Sequence, residues 1–342
     1  MKKIIVTGAG GYVGVPLCQA LLDKAFHVIA LDRFFFGIDK LSSIDNHPNL
    51  TIVREDIRYC DSKIFKDVFA VLDLAGLSND ASAEIDPALT ISINYKGSER
   101  FVREAKKDGV QRYIYASSAS VYGAGFKGSL RETDQLSPQT EYAKSKVAIE
   151  KLLNELADEN FSPVILRNAT IFGLAPRMRF DLAINIMTLR AWKDRVIYIM
   201  GGGEQWRPFV HVRDVVRAFM LMLESPKDIV HNQIFNVGNS DLNYQIKQLA
   251  QFVIDVIPNV QIHTIPDDPD KRSYNVNFEK IQKTLNYQTT IQVHEGIVEI
   301  KQALEKGILN GDDPTCYTLQ WYNSLITWHK RIKELQYNDQ IL

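Results

Sequence analysis

The sequence predicts an α/β fold: a doubly wound parallel sheet carrying a smaller C-terminal α/β lobe. Three observations point to it. Short apolar runs alternate with stretches of helical period from the first residues onward. A glycine-rich turn separates the first run from the first helical stretch. After about residue 170 the alternation loosens.

Taken in order, Lys3–Thr7 is an apolar strand that ends in glycines, and Val15–Lys24 has helical spacing. His27–Leu31, Leu50–Val53 and Val68–Leu74 are further strands, and Leu89–Lys107 is a helical stretch. Arg112–Ala116 and Pro163–Leu166 complete the buried strands. Beyond them, Ala175–Trp192 reads as a loop leading into a helix, Arg195–Met200 as a short strand and Gly201–Gly203 as a turn. Phe209–Val212 and Gln233–Val237 are strand-like again. The expected division is a first domain over residues 1–170, to which the chain returns at about 209–238. A second lobe comes from 171–208 and 239–309. An extension, 310–342, places Trp321 and Trp328 in a helical context.

Composition narrows the function. With 342 residues, 45% of them apolar, the chain can bury a core of ordinary size. A formal net charge of −1 provides no field to recruit nucleic acid or an anionic membrane, so an anionic ligand must be held by a few placed arginines. Cys18, Cys60 and Cys316 are too scattered for a disulfide framework or a zinc cluster, which suits a reducing compartment. The N-terminal residues run straight into a strand with no cleavage-site pattern, and no window approaches the ~18 apolar residues of a membrane span. The expected location is the cytoplasm.

Gly8-Ala-Gly-Gly-Tyr-Val-Gly14 lies between the first strand and the first helix. Gly8, Gly11 and Gly14 allow a tight turn and close approach of a diphosphate, with Tyr12 and Val13 beside it. The helix N-terminus offers free N–H groups and partial positive charge. Asp32 ends the second strand, 18 residues past Gly14, where a carboxylate accepts hydrogen bonds from adenosine ribose hydroxyls and repels an added phosphate. NAD is therefore the expected cofactor, with Arg33 adjacent.

Tyr142 and Lys146 are four apart at the start of a helical stretch and so share one face. A nearby ammonium would lower the tyrosine pKa and make it a usable acid/base. The pattern is weak alone: with 14 tyrosines, about one chance match is expected, and Tyr59 with Lys63 is such a match. The serine-rich strand end upstream, Tyr115-Ala-Ser-Ser-Ala-Ser-Val-Tyr-Gly123, distinguishes Tyr142, because it can place a hydroxyl against a substrate oxygen.

Five segments in order resemble the extended short-chain dehydrogenase/reductases, in the nucleotide-sugar epimerase/dehydratase branch. They are the glycine turn, Asp56-Ile57, Ser117–Gly123, Tyr142–Lys146 and Leu166-Arg-Asn-Ala-Thr-Ile-Phe-Gly173; the resemblance covers roughly residues 1–300. It implies a Rossmann-type domain and roles at matching positions. Ser118 would orient the sugar oxygen with Ser120 nearby, Tyr142 would be the acid/base, and Lys146 would hold the nicotinamide ribose. Asp56 and Ile57 would contact adenine, and Leu74, Ala75 and Gly76 would line the cofactor. Asp73 stands where the family usually has histidine, and Asn94 matches a structural asparagine. Arg177, Arg179 and Asn185 fall in the loop and helix that receive the nucleotide diphosphate, and Arg207 and Arg272 match two phosphate-binding arginines. The stretches Pro176–Leu182, Val210–Asp214 and Asp268–Arg272 are similar to those of GDP-heptose C4 dehydrogenases. The resemblance further implies a homodimer, paired through helices at Leu89–Lys107 and Tyr142–Ala157, and a nucleotide-diphosphate sugar as partner.

Family dehydratases carry Asp-Glu directly after the catalytic hydroxyl. Here those positions are Ala119 and Ser120, which argues against loss of water. The expected activity is NAD-dependent epimerisation at C4 through a 4-keto intermediate, in the making of surface-polysaccharide sugars. A net C4 dehydrogenase or 4-keto reductase stays open, as does a non-catalytic NAD sensor, although sensors tend to lose the tyrosine or lysine that this chain keeps.

Overall fold

Ile4, Ile5 and Val6 are all fully buried in strand β1 (Lys3–Thr7), because β1 lies at the centre of a sheet covered on both faces. In this computed structural model, which describes residues 1–123, 128–267, 270, 272–337 and 339–340, β1 pairs in parallel with β2 (His27–Asp32) and β4 (Val68–Asp73). β3 (Leu50–Arg54) extends the β2 side. β5 (Arg112–Ser118), then Ser162–Asn168, then Gln233–Val237 extend the other. All seven strands are parallel. The order reverses between β2–β3 and β4, which opens a crevice at the strands' carboxyl ends beside β1.

Period-two alternation distributes the strand residues to two cores. Ile4, Val6, Leu72 and Ile114 face one layer, which includes Leu17 and Leu21 of helix α1 (Gly14–Asp23) and Val215 and Phe219 of helix Val212–Glu224. Ile5, Val71, Tyr113 and Ile165 face the other, with Phe101, Val102, Ile149 and Leu153. The predicted helical stretch at 89–107 forms from residue 87 onward, but winds as a π-helix over Ile91–Gly97. That widened turn contains the buried Asn94, whose amide accepts from Leu77 N–H and donates to Leu77 C=O.

The second lobe has its own core, built on Phe172, Ile184, Phe209, Leu249, Val253 and Ile297. Its sheets are small. Trp206–His211 lies between Thr170–Phe172 and Asn243–Gln245, and Val196–Met200 pairs with Gln261–Ile265. Within the stretch 209–238, Gln233–Val237 joins the large sheet, whereas Phe209–His211 belongs to the small one. Arg195 does not start a strand as its sequence context predicts. It caps the preceding helix with φ of 57°, and the strand starts at Val196. The 310–342 region forms the helix Thr318–Leu335, packed on the body of the chain. Among the described residues, no helix is long and apolar enough to cross a membrane.

Candidate active site

The crevice beside β1 opens into a cleft of about 580 Å³ that runs between the two lobes. Its floor is the glycine turn. A β-carbon on Gly14 would sit 2.1 Å from the Gly8 carbonyl oxygen, so only glycine lets α1 start this close to β1. Gly76 has φ of +152°, and a β-carbon there would meet Asn94 Oδ1 at 2.9 Å. Asp73 is buried below the cleft, where it accepts from Thr7 Oγ1 at 2.6 Å and Tyr113 Oη at 2.7 Å. Thr7 in turn accepts from the N–H groups of Leu74 and Ala75. The departure from the family's usual histidine therefore alters the support beneath the wall; Leu74, Ala75 and Gly76 still line it.

Asp32 closes β2 against the turn, accepting from Gly10 N–H at 3.0 Å and Phe34 N–H at 2.6 Å. Burial pushes its carboxyl pKa up, against those hydrogen bonds. Arg33 turns away from Asp32 and pairs with Asp56 at 3.0 Å, alongside Arg58 at 2.8 Å. Ile57 lines the same end, as do Gly8, Gly11, Tyr12 and Val13.

The reactive cluster forms where β5 meets helix Glu141–Leu156. Thr140 caps that helix by accepting from Ala143 N–H at 3.2 Å, and Tyr142 lies in the first turn. Ser118 lies beside Tyr142, near enough for its hydroxyl to act on the phenol and lower its pKa. Lys146, one turn further on, donates to the Ala116 carbonyl at 2.6 Å and lies 5.6 Å from the centre of the Tyr142 ring. Behind β5, Ser117 donates to Glu150 at 2.5 Å, and Glu150 forms a buried ion pair with Arg167 at 2.7 Å. Arg167 also donates to Tyr122 Oη, which itself donates to Asn236. A fully bonded network of this kind fixes the strand end that presents Ser118.

One expectation is corrected here: the net shift of Tyr142 is upward, opposite in direction to the lowering expected from a nearby ammonium. Burial pushes Tyr142 up to about 12, helped by the Asp80 carboxylate and opposed by the Ser118 hydroxyl and by Arg179. Burial also lowers Lys146 to about 8. Desolvation of both groups outweighs their proximity.

The arginines gather as expected, but each has protein partners. Arg207 donates to the Arg272 carbonyl and pairs with Asp270 at 2.9 Å. Arg272 pairs with Asp270 at 2.7 Å and with Asp80 at 2.6 Å. Burial acts to raise the Asp270 pKa, yet the two guanidiniums hold it well below the usual carboxylate range. Arg179 pairs with Asp181 at 2.5 Å, and Arg177 donates to Thr318 at 2.8 Å. Of the motif Asp268–Arg272, residues 268, 269 and 271 lie outside the described residues. Asn185 lies apart from the cleft. Fully buried, it accepts from Gly173 N–H and donates to Arg179 C=O and Tyr12 Oη. Ser120 lines the cleft with a buried hydroxyl that has no partner among the described residues, as does Asn168 Oδ1. Sequence reasoning missed Asp80, Asp181, Phe36 and Tyr322, all in the cleft wall. Asp181 falls inside the stretch Pro176–Leu182 but was not singled out there, whereas Asp80, Phe36 and Tyr322 sit in no local motif; for Tyr322 the helical context of the neighbouring Trp321 was a hint.

The model of the NAD dependent epimerase/dehydratase family matches residues 4–238. UDP-glucuronic acid decarboxylase 1 of Arabidopsis thaliana is 27% identical over 324 residues, 91% of this chain and 72% of the relative. A protein of Bacillus subtilis (strain 168) described as an uncharacterized UDP-glucose epimerase, YtcB, is 29% identical over 252 residues, 70% of this chain and 77% of the relative. The fold is shared with UDP-glucuronic acid 4-epimerase from Bacillus cereus, solved with UDP-glucuronic acid and NAD. The TM-score is 0.81 at 24% identity, covering 89% of this chain and 99% of that one.

Proposed function

The chain belongs to the NAD dependent epimerase/dehydratase family, and from that premise we propose that it is a nucleotide-sugar 4-epimerase working through a 4-keto intermediate. One observation carries the reading: the Tyr142–Ser118–Lys146 cluster opens into the same cleft as the glycine turn and the two phosphate-type arginines.

The residues present fit NAD. The turn around Gly14 has no room for a side chain, and buried Asn168 Oδ1 and Ser120 Oγ in the cleft lack partners among the described residues. Asp32 and Arg33 stand at the adenosine end, with Asp56, Ile57 and the Leu74–Gly76 backbone around them. When bound, NAD would supply a nicotinamide able to take and return a hydride at C4 of the sugar. Tyr142 Oη takes the O4 proton, and the Ser118 hydroxyl orients that oxygen. Lys146, anchored on the Ala116 carbonyl, is placed to hold the nicotinamide ribose. Arg207 and Arg272 receive the diphosphate, with Arg177, Arg179 and Ser120 on the same wall. Asn185 acts through the Arg179 carbonyl that it holds. With the diphosphate tethered by Arg207 and Arg272, the sugar ring would be free to present its other face, and Tyr142 would return the proton to O4. Ala119 and Ser120 supply no carboxylate pair, so water is kept.

The wider reading places this cytoplasmic chemistry in surface-polysaccharide sugar synthesis. The enzyme works as a homodimer paired through the helices at 89–107 and 141–156, with residues 1–170 and, past the small-sheet strand Trp206–His211, residues 212–238 forming the cofactor domain. The test is to incubate the purified chain with NAD and a panel of UDP- and GDP-sugars. Nuclear magnetic resonance of the products should show the C4 epimer, with no net reduced cofactor in the absorbance spectrum. Stoichiometric reduced cofactor would replace this reading with a net dehydrogenase, and unchanged sugars across the panel would overturn it.

A further inference from the structure

The cofactor end of the cleft has a wall outside the family match. The helix Thr318–Leu335 begins 80 residues beyond residue 238, where that match ends. It is tied to the loop that follows Asp32: Trp321 Nε1 donates to the Phe35 carbonyl at 2.6 Å, and the Tyr322 ring lies 6.1 Å from Phe35 and 5.4 Å from Phe36. The guanidinium of Arg177 lies 3.6 Å over the Phe36 ring. Thr318 accepts from Arg177 and donates to Asp181.

Two polar groups here lack partners. Arg177 is 2% exposed, yet its Nε has no acceptor among the described residues. The Tyr322 hydroxyl makes no hydrogen bond among the described residues, although its surroundings push it up to about 12 through burial. Both side chains line the cleft with Asp32, and Arg177 acts electrostatically on both Asp32 and Tyr322. Arg177 Nε, enclosed and with no acceptor among the described residues, is costly unless a ligand supplies oxygen, and the Tyr322 hydroxyl is free to contribute beside it.

We propose that the C-terminal helix is a wall of the NAD site and that Arg177 and Tyr322 contact the adenosine half of the dinucleotide, which presents ribose and diphosphate oxygens. This rests on the NAD reading above. It moves Arg177 from the sugar nucleotide to the cofactor. It also gives the C-terminal extension a role, which is to hold the dinucleotide in place through turnover.

The test uses the full chain and calorimetric titration with NAD and with ADP-ribose, which lacks nicotinamide. Tyr322→Phe should weaken both ligands ~3–10-fold, the value of one lost hydrogen bond. Arg177→Lys should weaken both at least as much, because lysine keeps the charge but not the planar stack. Trp321→Phe should speed release of bound NAD, followed by rapid mixing with excess competitor. Asp32→Asn is the control. If the parent binds no NAD, the cofactor reading fails and this proposal with it. If Asp32→Asn weakens binding while Tyr322→Phe and Arg177→Lys leave ADP-ribose affinity unchanged, this proposal alone fails. Weakened NAD with unchanged ADP-ribose also overturns it, because the contacts would then lie at the nicotinamide half. Should Arg177→Lys not fold, the Tyr322→Phe result decides.

Discussion

Around Asp32 and the strand ends, Arg177 Nε, Asn168 Oδ1 and Ser120 Oγ are buried without partners among the described residues. Around Arg207 and Arg272, the charges are already matched by Asp270 and Asp80. The first region is shaped for a ligand that completes its hydrogen bonds. The second neutralises itself, so a phosphate must displace carboxylates to be held. Binding in the first region should therefore gain from preorganisation, and binding in the second should be an exchange of ion pairs, weaker per contact and sensitive to salt.

The largest break expected is at the junction of the two regions. Tyr142→Phe keeps the ring packed and removes only the hydroxyl, so turnover should fall ~10²–10⁴-fold with little change in thermal unfolding. Tyr59→Phe, on a side chain 71% exposed, should leave both unchanged. Equal losses from the two variants would remove Tyr142 from the mechanism.

A paired substitution separates the regions themselves. Asp32→Asn should weaken NAD by about 1–3 kcal/mol and narrow its advantage over NADP, while nucleotide-sugar affinity holds. Arg272→Gln should do the reverse: about 10–100-fold weaker nucleotide-sugar binding, a flatter salt dependence and unaltered NAD. If either variant weakens both ligands alike, the division is wrong.

The third effect appears as stability. Lys146 has a folded pKa of about 8, below its ordinary 10.5. The unfolded chain therefore binds the proton more tightly. The buried charge destabilises the fold below about pH 8, and the penalty fades as pH rises toward 10.5. Lys146→Met should stabilise the protein by about 1–3 kcal/mol at pH 7, and its unfolding should lose the parent's rise across that window, even as catalysis is lost. Denaturant titrations at several pH values would show this, and a destabilised Lys146→Met at pH 7 would contradict it.

The smallest effect is a shift in pH. After burial, Asp80 is the main group raising the Tyr142 pKa. Asp80→Asn should move the limb of the pH–rate profile that requires deprotonated tyrosine to lower pH. A limb that stays in place would show that Asp80 does not act on Tyr142.

How far the sequence reached follows the same division. Gly8–Gly14, Asp32 and the Tyr142–Lys146 pair are local motifs, and their geometry follows from one turn, one strand end and one helix face. Asp80 and Arg272 are 192 positions apart and carry no motif signal together. Asn185 was legible as a site position but not as a buried support, because its partners come from Gly173 and Tyr12. The direction of the Tyr142 shift was illegible for a different reason: spacing reveals a nearby ammonium but not how much water the fold removes from both groups.

The hydrogen bond from Trp321 to Phe35 spans 286 positions. During synthesis at about 5–20 residues per second, the loop after Asp32 is made roughly 15–60 s before the helix that packs on it. For that interval Phe36 lacks the Tyr322 ring that later packs against it, whereas Phe34 is buried in the core of the large sheet and Phe35 stays exposed even in the folded chain. A nascent chain therefore leaves Phe36 beside an already exposed Phe35, and that small aromatic surface is where chaperone contact or premature association would concentrate.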